Sequence, residues 1–312
     1  DSAISSVPKS FKNRESLVYE RVKWRRRARL EKSSLELLNS YNGDFSKTKK
    51  WWREINYHVR KQISYGNYKE AVYLLKKFSD GSPKNTAESN WMIGWISLTF
   101  LKDPSTSYEH FKQMYNNVIT PISKARASYW AGKSAKALGD LKSSENWFNK
   151  SSAFPSTFYG QLALKETNKT LSMPKIYTKF ENDEFERFKD KELVKALLIL
   201  LDAKHKRLSR LFAYHLVKKA NTTKEILMLS ALLKKKNNIN LSIMVSKRAI
   251  YKGIYIPSLN FPLPDKKLFE DVKKSTVISL PATLAIMRQE SAFDISAVSR
   301  AGARGLMQVM PR

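Results

Sequence analysis

The chain has 312 residues, of which 42% are hydrophobic, and its 57 Lys and Arg against 28 Asp and Glu give a formal net charge of +29. This length and apolar content exclude a disordered chain and suffice for two domains with sizeable cores. The charge favours polyanionic partners such as nucleic acid, anionic lipid or an acidic cell wall, or it reflects compositional bias. No cysteine occurs, which excludes disulfides, thiolate catalysis and cysteine metal sites.

Neither a metal site nor a membrane span is indicated by the sequence. The longest apolar run lies around 194–201, is interrupted by Lys195 and is too short to cross a bilayer. The first residue is Asp1 and not Met, which leaves open a signal segment that was removed or not included. No metal-ligand spacing such as H-E-x-x-H joins the four histidines, which are His58, His110, His205 and His215.

The first half of the chain has the apolar spacing of helices that pack in pairs. Three turns, at 66–67, 103–104 and 139–140, stand about 37 residues apart, and each lies between two apolar helical segments. This period is typical of stacked units of the tetratricopeptide kind, in which each helix pair buries its apolar face against its neighbours. We therefore predict antiparallel helix pairs whose interfaces bury Trp91, Trp95, Trp130 and Trp147.

Helical patterns continue through the second half. Four predicted helices span 184–201, 205–219, 224–236 and 241–252, and strands should be nearly absent because no stretch alternates polar and apolar residues. The segment 255–269 contains three prolines and predicts a stiff, extended linker.

The chemistry lies in the last thirty residues. Pro281 at a first helical turn and the apolar residues after it predict a short packed helix that ends near Glu290. A carboxylate beside Met287 and Phe293 would be partly desolvated, which favours the protonated form that a general acid requires. The alternative is a solvated glutamate in the last turn of a surface helix.

A tight turn should follow this helix. The small residues at 301–305 allow close backbone approach, and 306–310 predict a second helix that Pro311 stops. Together, the runs 289–293 (QESAF), 297–299 (AVS), 302–308 (GARGLMQ) and 310–311 (MP) closely resemble the catalytic signature of soluble lytic murein transglycosylases. Weaker resemblance to the same family extends back to about residue 50 and includes 157–163 (TFYGQLA).

The resemblance implies an all-α fold: an α-superhelix of tetratricopeptide-like helix pairs followed by a lysozyme-like catalytic domain. We place the superhelical domain at 1–254, the proline-rich linker at 255–269 and the N-terminal part of the lysozyme-like domain at 270–312. Because the family's catalytic domain continues well past the GLMQ-x-M-P motif, we expect the 312-residue chain alone to be inactive.

The same resemblance implies the site residues. Glu290 would be the single catalytic acid/base, and Ser299, Gln308 and Met310 would line the sugar cleft, with no cofactor and no metal. Two alternatives stay open: Ser299 would only cap the turn, and Met310 would only fill a core. This sequence departs from the family's pattern in the connecting turn, where Ile295 and Arg300 replace residues that are often proline.

Glycosidic cleavage usually needs two carboxylates, yet this segment offers one good candidate. Asp294 fits a turn cap better than a catalytic role, and a single acid fits substrate-assisted chemistry, in which a group on the sugar replaces the second carboxylate. The resemblance implies a lyase: the glutamate protonates the oxygen between N-acetylmuramic acid and N-acetylglucosamine, and the muramic acid 6-hydroxyl then closes a 1,6-anhydro ring.

Two other functions compete with this interpretation. A lysozyme-like muramidase would use Glu290 with water, and a non-catalytic basic scaffold of helical repeats would bind a polyanion. The scaffold is supported by the charge and by aromatic residues that could stack on bases, namely Trp24, Trp51, Trp52 and Trp95. Since no nucleic-acid motif is present, we expect no nucleic-acid partner. The expected partner is peptidoglycan glycan strands in a bacterial periplasm, with peripheral association with the wall or membrane.

Overall fold

In a computed structural model, the chain is described over residues 2–43, 45, 50–77, 82–171, 180–275 and 278–311. It divides into two compact units, Asp1–Leu171 and Ser172–Arg312. Within the described ranges both units consist of helices and turns without any strand, and β pairing is limited to isolated bridges near the C-terminus. The predicted all-α fold class is confirmed. None of the described helices combines the length and the apolar content needed to cross a bilayer.

The first unit consists of short helices, and a helix lies on each side of the three predicted turns, as predicted. In chain order the helices are α1 (Ser2–Ser5), α2 (Lys9–Lys12), α3 (Glu15–Arg27), α4 (Glu31–Ser40), α5 (Trp51–Ser64), α6 (Tyr68–Lys77), α7 (Pro83–Thr99), α8 (Pro104–Asn117), α9 (Pro121–Ala137), α10 (Leu141–Ser152) and α11 (Phe158–Glu166). Most of them pack on their successors along the chain, as α3 does on α4, α5 on α6, α7 on α8, and α9 on α8 and α10.

The three predicted turns share one chemistry. Gly66, Lys102 and Gly139 each follow a helix in the left-handed conformation, with φ of 76°, 56° and 81°. That conformation ends a helix while its last carbonyls still find partners. Asp103 and Asp140 then cap α8 and α10 by accepting backbone N–H groups of the first turn. The period seen in the sequence therefore comes from residues that end one helix and begin the next.

The same period recurs in the core as a glycine that faces a phenylalanine. A Cβ added at Gly94 on α7 would lie 2.8 Å from the ring of Phe111 on α8, and one added at Gly132 on α9 would lie 2.8 Å from the ring of Phe148 on α10. Both rings are buried. In each pair the glycine allows the helices to approach until the ring fills the space between them.

The predicted burial of four tryptophans is confirmed for one of them. Trp147 is buried, and its Nε1 donates to the Tyr108 hydroxyl at 3.0 Å. The other three are partly buried and pack against the same core clusters from the side. The Arg126 guanidinium covers the Trp91 ring, 4.9 Å from its centroid. These indoles therefore lie at the edge of the interfaces between helices.

Polar contacts tie α3, α4 and α5 together. Glu54 is fully buried and binds the Arg26 guanidinium. On α4, Glu31 accepts hydrogen bonds from the hydroxyls of Tyr57 and Tyr65 and lies 3.1 Å from the Lys61 ammonium. These hydrogen bonds, that of Tyr57 foremost, lower the pKa of Glu31 from 4.5 to about 2. The carboxylate is therefore ionised at all ordinary pH values.

The second unit is also helical, and its core lies around Leu229 and Leu233. The predicted single helix over 184–201 is wrong, because Lys191 has an extended ψ of 130° and breaks it in two. The helices are α12 (Asn182–Asp190), α13 (Glu192–Asp202), α14 (Lys206–Lys219), α15 (Thr223–Lys235), α16 (Ile239–Ile250), α17 (Pro257–Asn260), α18 (Lys266–Ser275) and α19 (Leu280–Glu290).

The proline-rich segment is less extended than predicted. It holds the short helix α17, and α18 begins within it at Lys266. Ile256 and Leu259 are buried in the core of the second unit, so this stretch is packed along part of its length. The division into domains at 255–269 stays a prediction.

Replacing Gly94 with Ala should destabilise the protein by about 1–2 kcal/mol. The new methyl group would press on the buried Phe111 ring, and such overpacking costs about 1–3 kcal/mol, more than the roughly 0.5–1 kcal/mol that Ala gains over Gly in a helix. Chemical denaturation measures the change. In a Phe111→Leu background, where there is room, the same substitution should cost much less. Equal losses of stability in both backgrounds would show that the added methyl group does not press on Phe111.

Glu31 should make stability depend on acid pH. A carboxylate whose pKa is lowered on folding stabilises the protein above its unfolded value of 4.5, and this contribution is lost as the pH falls towards about 2. Glu31→Gln should therefore cost roughly 1 kcal/mol at neutral pH, and the difference from the wild type should shrink below pH 4.5. Thermal melts across this range measure it.

Glu20→Gln is the matched control, because it removes the same charge from an exposed pair with Lys23. It should change stability little at any pH. A Glu31→Gln deficit that stays constant down to pH 3 would show that the charge of Glu31 is not what stabilises this contact.

Candidate active site

The candidate site is built on the end of α19. Pro281 stands in the first turn of this helix, Met287 is buried, and Glu290 is the last helical residue, as predicted. Ala292 and Phe293 follow with φ of 53° and 64°. Two successive left-handed residues end the helix abruptly, so the chain turns directly after the glutamate.

Glu290 is exposed, although Met287 one turn earlier is buried. The predicted desolvation of this carboxylate is therefore absent from the structure, because the apolar neighbours pack inward and leave the helix end in solvent. Within the described part of the chain, the Glu290 carboxylate has no hydrogen bond and no salt bridge to another residue. Its oxygens are free to meet a ligand.

The second helix predicted at 306–310 is wrong. Arg304 and Val309 instead exchange two backbone hydrogen bonds of 3.0 and 3.1 Å, and Arg304 also forms a bridge with Val298. Gly305 and Gln308 both have positive φ, of 73° and 51°. A left-handed residue within the segment cannot continue an α-helix, so the small-residue run folds into consecutive tight turns.

Ser299 and Gln308 hold these turns together. The Ser299 N–H donates to the Ala303 carbonyl at 2.8 Å, and the Ser299 Oγ accepts the Ala303 N–H at 3.0 Å. The Gln308 Nε2 donates to the carbonyls of Ala297 and Gly305, at 3.1 and 2.9 Å. For Ser299 this is the turn cap that the sequence left open as the alternative to a sugar contact.

A cleft of about 630 Å³ lies in the second unit between α14, α16 and the end of α19. Two of the four predicted site residues, Glu290 and Gln308, line it. Ser299 does not line the cleft, and neither does Met310, whose side chain is exposed and fills no core. The sugar-binding roles of Ser299, Gln308 and Met310 stay predictions.

The wall opposite Glu290 was missed from the sequence. It consists of polar and aromatic residues and one methionine, all at helical spacing: three lie four residues apart on α14, and the others lie along one face of α16 and at its end. This spacing could have identified the wall from the sequence, but basic residues are so frequent in this chain that the row did not stand out. The residues are Lys206, Arg210, Tyr214, Asn240, Met244, Lys247, Arg248 and Tyr251.

Lys247 joins this wall to the end of α19. Its Nζ donates to the Arg288 carbonyl at 2.9 Å and to the Gln289 Oε1 at 3.5 Å. Burial and, to a lesser extent, the charge of Arg288 lower the pKa of Lys247, against the opposing attraction of the Glu290 carboxylate. A cation at the C-terminal end of a helix is favoured by the dipole and occupies a carbonyl without an intrahelical partner. Lys247 thereby fixes the turn that carries Glu290.

Arg288 anchors the same turn on its other side. Its guanidinium donates to the Asn260 carbonyl and lies over the Phe261 ring, 4.4 Å from the centroid. Burial lowers the pKa of Arg288. The last turn of α19 is thus held by two cations, neither of which forms a salt bridge within the described residues.

Asp294 is the other carboxylate of the cleft, and its oxygens are occupied. It accepts hydrogen bonds from the Ser296 N–H and hydroxyl, at 2.9 and 2.7 Å, and from the Asn240 amide at 3.2 Å. Burial alone would raise the pKa of Asp294, but the bonds from Ser296, the charge of Lys206 and the bond from Asn240 together lower it. Asp294 therefore caps the turn as an anion, and Glu290 is the carboxylate of the cleft whose oxygens are not engaged.

Known proteins resemble this chain in its last residues and in its fold. The sequence model of one family, described as the transglycosylase SLT domain, matches residues 267–312. No curated protein sequence matches the chain. A solved structure of an inactive Glu-to-Gln mutant of the lytic transglycosylase Slt from Pseudomonas aeruginosa is similar at 19% identity and a TM-score of 0.63, over 90% of this chain and 44% of that one.

A second solved structure, the 70-kDa soluble lytic transglycosylase in complex with bulgecin A, is similar at 17% identity and a TM-score of 0.57, over 95% of this chain and 45% of that one. The chain thus spans less than half the length of either structure. Residues 267–312 thus match the transglycosylase SLT domain, and the chain that carries them has an all-α fold similar to that of these two lytic transglycosylases.

Proposed function

We propose that this protein is a peptidoglycan lytic transglycosylase that cleaves the β-1,4 bond between N-acetylmuramic acid and N-acetylglucosamine and leaves 1,6-anhydro-muramic acid ends. The observation that carries the proposal is Glu290, an unengaged carboxylate on a fixed helix end in a cleft, within the segment that matches the SLT domain. The inactive Glu-to-Gln mutant of the Pseudomonas enzyme supports a glutamate as the essential group.

The reaction needs one acid because the substrate supplies the nucleophile. Glu290 gives its proton to the glycosidic oxygen as the bond from that oxygen to muramic acid C1 breaks. The resulting carboxylate then takes the proton of the muramic acid 6-hydroxyl, whose oxygen forms a new bond to C1. Water is not consumed, and Glu290 regains its proton. Asp294 already accepts hydrogen bonds from Ser296, and this supports the one-acid route over a hydrolysis that uses two carboxylates.

The proposed location follows from the substrate. Peptidoglycan lies outside the cytoplasmic membrane, so the protein would act in a bacterial periplasm. The net charge of +29 supports close association with the anionic wall.

Glu290→Gln should reduce turnover by at least ~10²–10⁴-fold, because glutamine keeps the shape of the side chain but has no proton to transfer. The rate is measured as muropeptide release from purified sacculi, in a form of the protein that digests them. Asp294→Asn is the matched control, which removes a carboxylate from the same cleft and should retain most of the activity. An active Glu290→Gln variant would exclude Glu290 from the mechanism.

The products distinguish the lyase from a hydrolase. Mass spectrometry should show muropeptides that end in 1,6-anhydro-muramic acid, lighter by one water than those of a muramidase, and no new reducing ends. New reducing ends would assign the same glutamate to hydrolysis by water. Binding of oligonucleotides without any muropeptide release would instead favour the polyanion-binding scaffold.

The 312-residue chain alone should bind glycan without digesting sacculi. The reason is the exposure of Glu290, since catalytic groups act most strongly in a site that excludes water. Overnight digestion followed by chromatography of soluble muropeptides measures this. Efficient release by this chain would show that exposure of Glu290 in the free protein does not limit catalysis.

A further inference from the structure

We propose that the corner between α3 and α4 docks on an anionic lipid surface, with Trp24 and Leu30 at the boundary between headgroups and acyl chains. The inference does not depend on the proposed reaction, because this corner lies in the first unit and outside the cleft that Glu290 lines. It gives the expected peripheral association with a membrane a defined place in the chain.

Trp24 differs from the other tryptophans because it is exposed. Of the seven tryptophans it alone is exposed, with 56% of its surface in solvent. Trp51, by contrast, is buried, and its Nε1 donates to the Glu15 carboxylate at 2.9 Å. Within the described residues the Trp24 indole makes no hydrogen bond, ring contact or cation contact. An indole joins a large apolar ring to a single N–H donor, which suits the boundary between an apolar phase and water.

The end of α3 brings a second apolar side chain towards Trp24. The Leu30 N–H donates to the Arg25 carbonyl at 2.9 Å, and the Arg29 N–H donates to the Arg26 carbonyl at 3.1 Å. These two bonds form a Schellman motif, which folds the chain back over the last helical turns, where Trp24 lies. Leu30 is 47% exposed. The corner therefore presents two apolar side chains to solvent.

The same corner carries an excess of positive charge. Residues 21–32 contain seven Lys and Arg and a single carboxylate, that of Glu31. This carboxylate is already engaged by the hydroxyls of Tyr57 and Tyr65 and by the Lys61 ammonium. The corner therefore has a positive potential that its own acidic residue does not cancel, and such a potential attracts anions.

Three of the seven cations are exposed and unengaged. Lys23 and Arg26 are taken up by salt bridges to glutamates. Within the part of the chain that the structure describes, the side chains of Arg27, Arg29 and Lys32 have no hydrogen-bond or salt-bridge partner, and all three are exposed. Basic side chains around apolar ones match a membrane surface, where anionic headgroups lie above acyl chains.

The combination favours lipid over other polyanions. Nucleic acid would satisfy the cations, but it offers no apolar layer for Leu30, and one indole is not the series of stacking platforms that holds a single strand. A lipid surface satisfies both kinds of side chain at once, because interfacial segments place their apolar residues about 5–10 Å into the boundary of headgroups and acyl chains. The corner therefore fits anionic lipid.

Sedimentation with vesicles tests the docking on the 312-residue chain. Vesicles of phosphatidylglycerol mixed with phosphatidylcholine are compared with vesicles of phosphatidylcholine alone. The chain should bind the anionic vesicles about tenfold more tightly or better, because three free cations face the headgroups. This difference should shrink in high salt, which screens exposed charges.

The variants locate the effect. Arg27→Gln with Lys32→Gln should weaken binding to anionic vesicles about ten- to thirty-fold, since each cation near an anionic surface contributes roughly fivefold. Lys234→Gln with Lys235→Gln is the matched control, which removes the same charge from exposed positions at the end of α15 and should change binding little. Trp24→Ala should weaken binding about fivefold or more in low and high salt alike, because it removes apolar area.

Brominated lipid reports where the indole lies. Bromine atoms on the upper part of the acyl chains quench the emission of tryptophans that reach them. Bound wild-type protein should therefore lose emission, and this loss should be absent from Trp24→Phe. Because phenylalanine keeps an apolar ring at an exposed position, the Trp24→Phe variant should still fold and bind, so the two readouts separate insertion from folding.

Three results would overturn the inference. Equal binding to neutral and anionic vesicles would exclude recognition of anionic headgroups, and an equal loss in the Arg27 and Lys32 variant and in its control would show that binding follows the net charge of the chain. Quenching that is unchanged in Trp24→Phe would exclude the corner as the inserted part. A short oligonucleotide that displaces the vesicles and depends on Trp24 to the same degree would assign the corner to nucleic acid.

Discussion

The cleft depends on how the end of α19 is held. A helix leaves its last carbonyls without partners, and here Lys247 from α16 donates to one of them while Arg288 fastens the same turn to Asn260 and Phe261. Glu290 comes directly after these anchored residues. Because the two left-handed residues that follow reverse the chain, the carboxylate stands at the edge of the cleft while the backbone on both sides of it is fixed. A rigid support of this kind keeps a catalytic group in place without burying it.

The sequence predicted those features that rest on local chemistry. The period of about 37 residues was visible because its turns require particular residue types. Gly66 and Gly139 end helices in the left-handed conformation, and Asp103 caps the helix that follows it. Glu290 at a helix end was predicted for the same reason, since Pro281 marks the start of that helix and the small residues beyond it mark a turn.

Features that rest on tertiary packing could not be predicted in this way. The apolar run 306–310 suggested a helix, but the pairing of Arg304 with Val309 outweighs that local preference. A continuous pattern over 184–201 gave no sign of the break at Lys191. The basic residues of α14 and α16 carried a spacing signal, yet a chain with 57 Lys and Arg has many such rows. Only the fold shows which row faces Glu290.

The central claim is that Glu290 and the α14–α16 wall form one glycan site, and a crystal structure of the 312-residue chain with a disaccharide of N-acetylglucosamine and N-acetylmuramic acid tests it most directly. We predict a sugar oxygen within hydrogen-bond distance of the Glu290 carboxylate, roughly 2.6–3.2 Å, and contacts of the disaccharide with α14 or α16. A disaccharide bound instead in the first unit, for example against Tyr65 and Lys61, with the cleft unoccupied, would contradict the account.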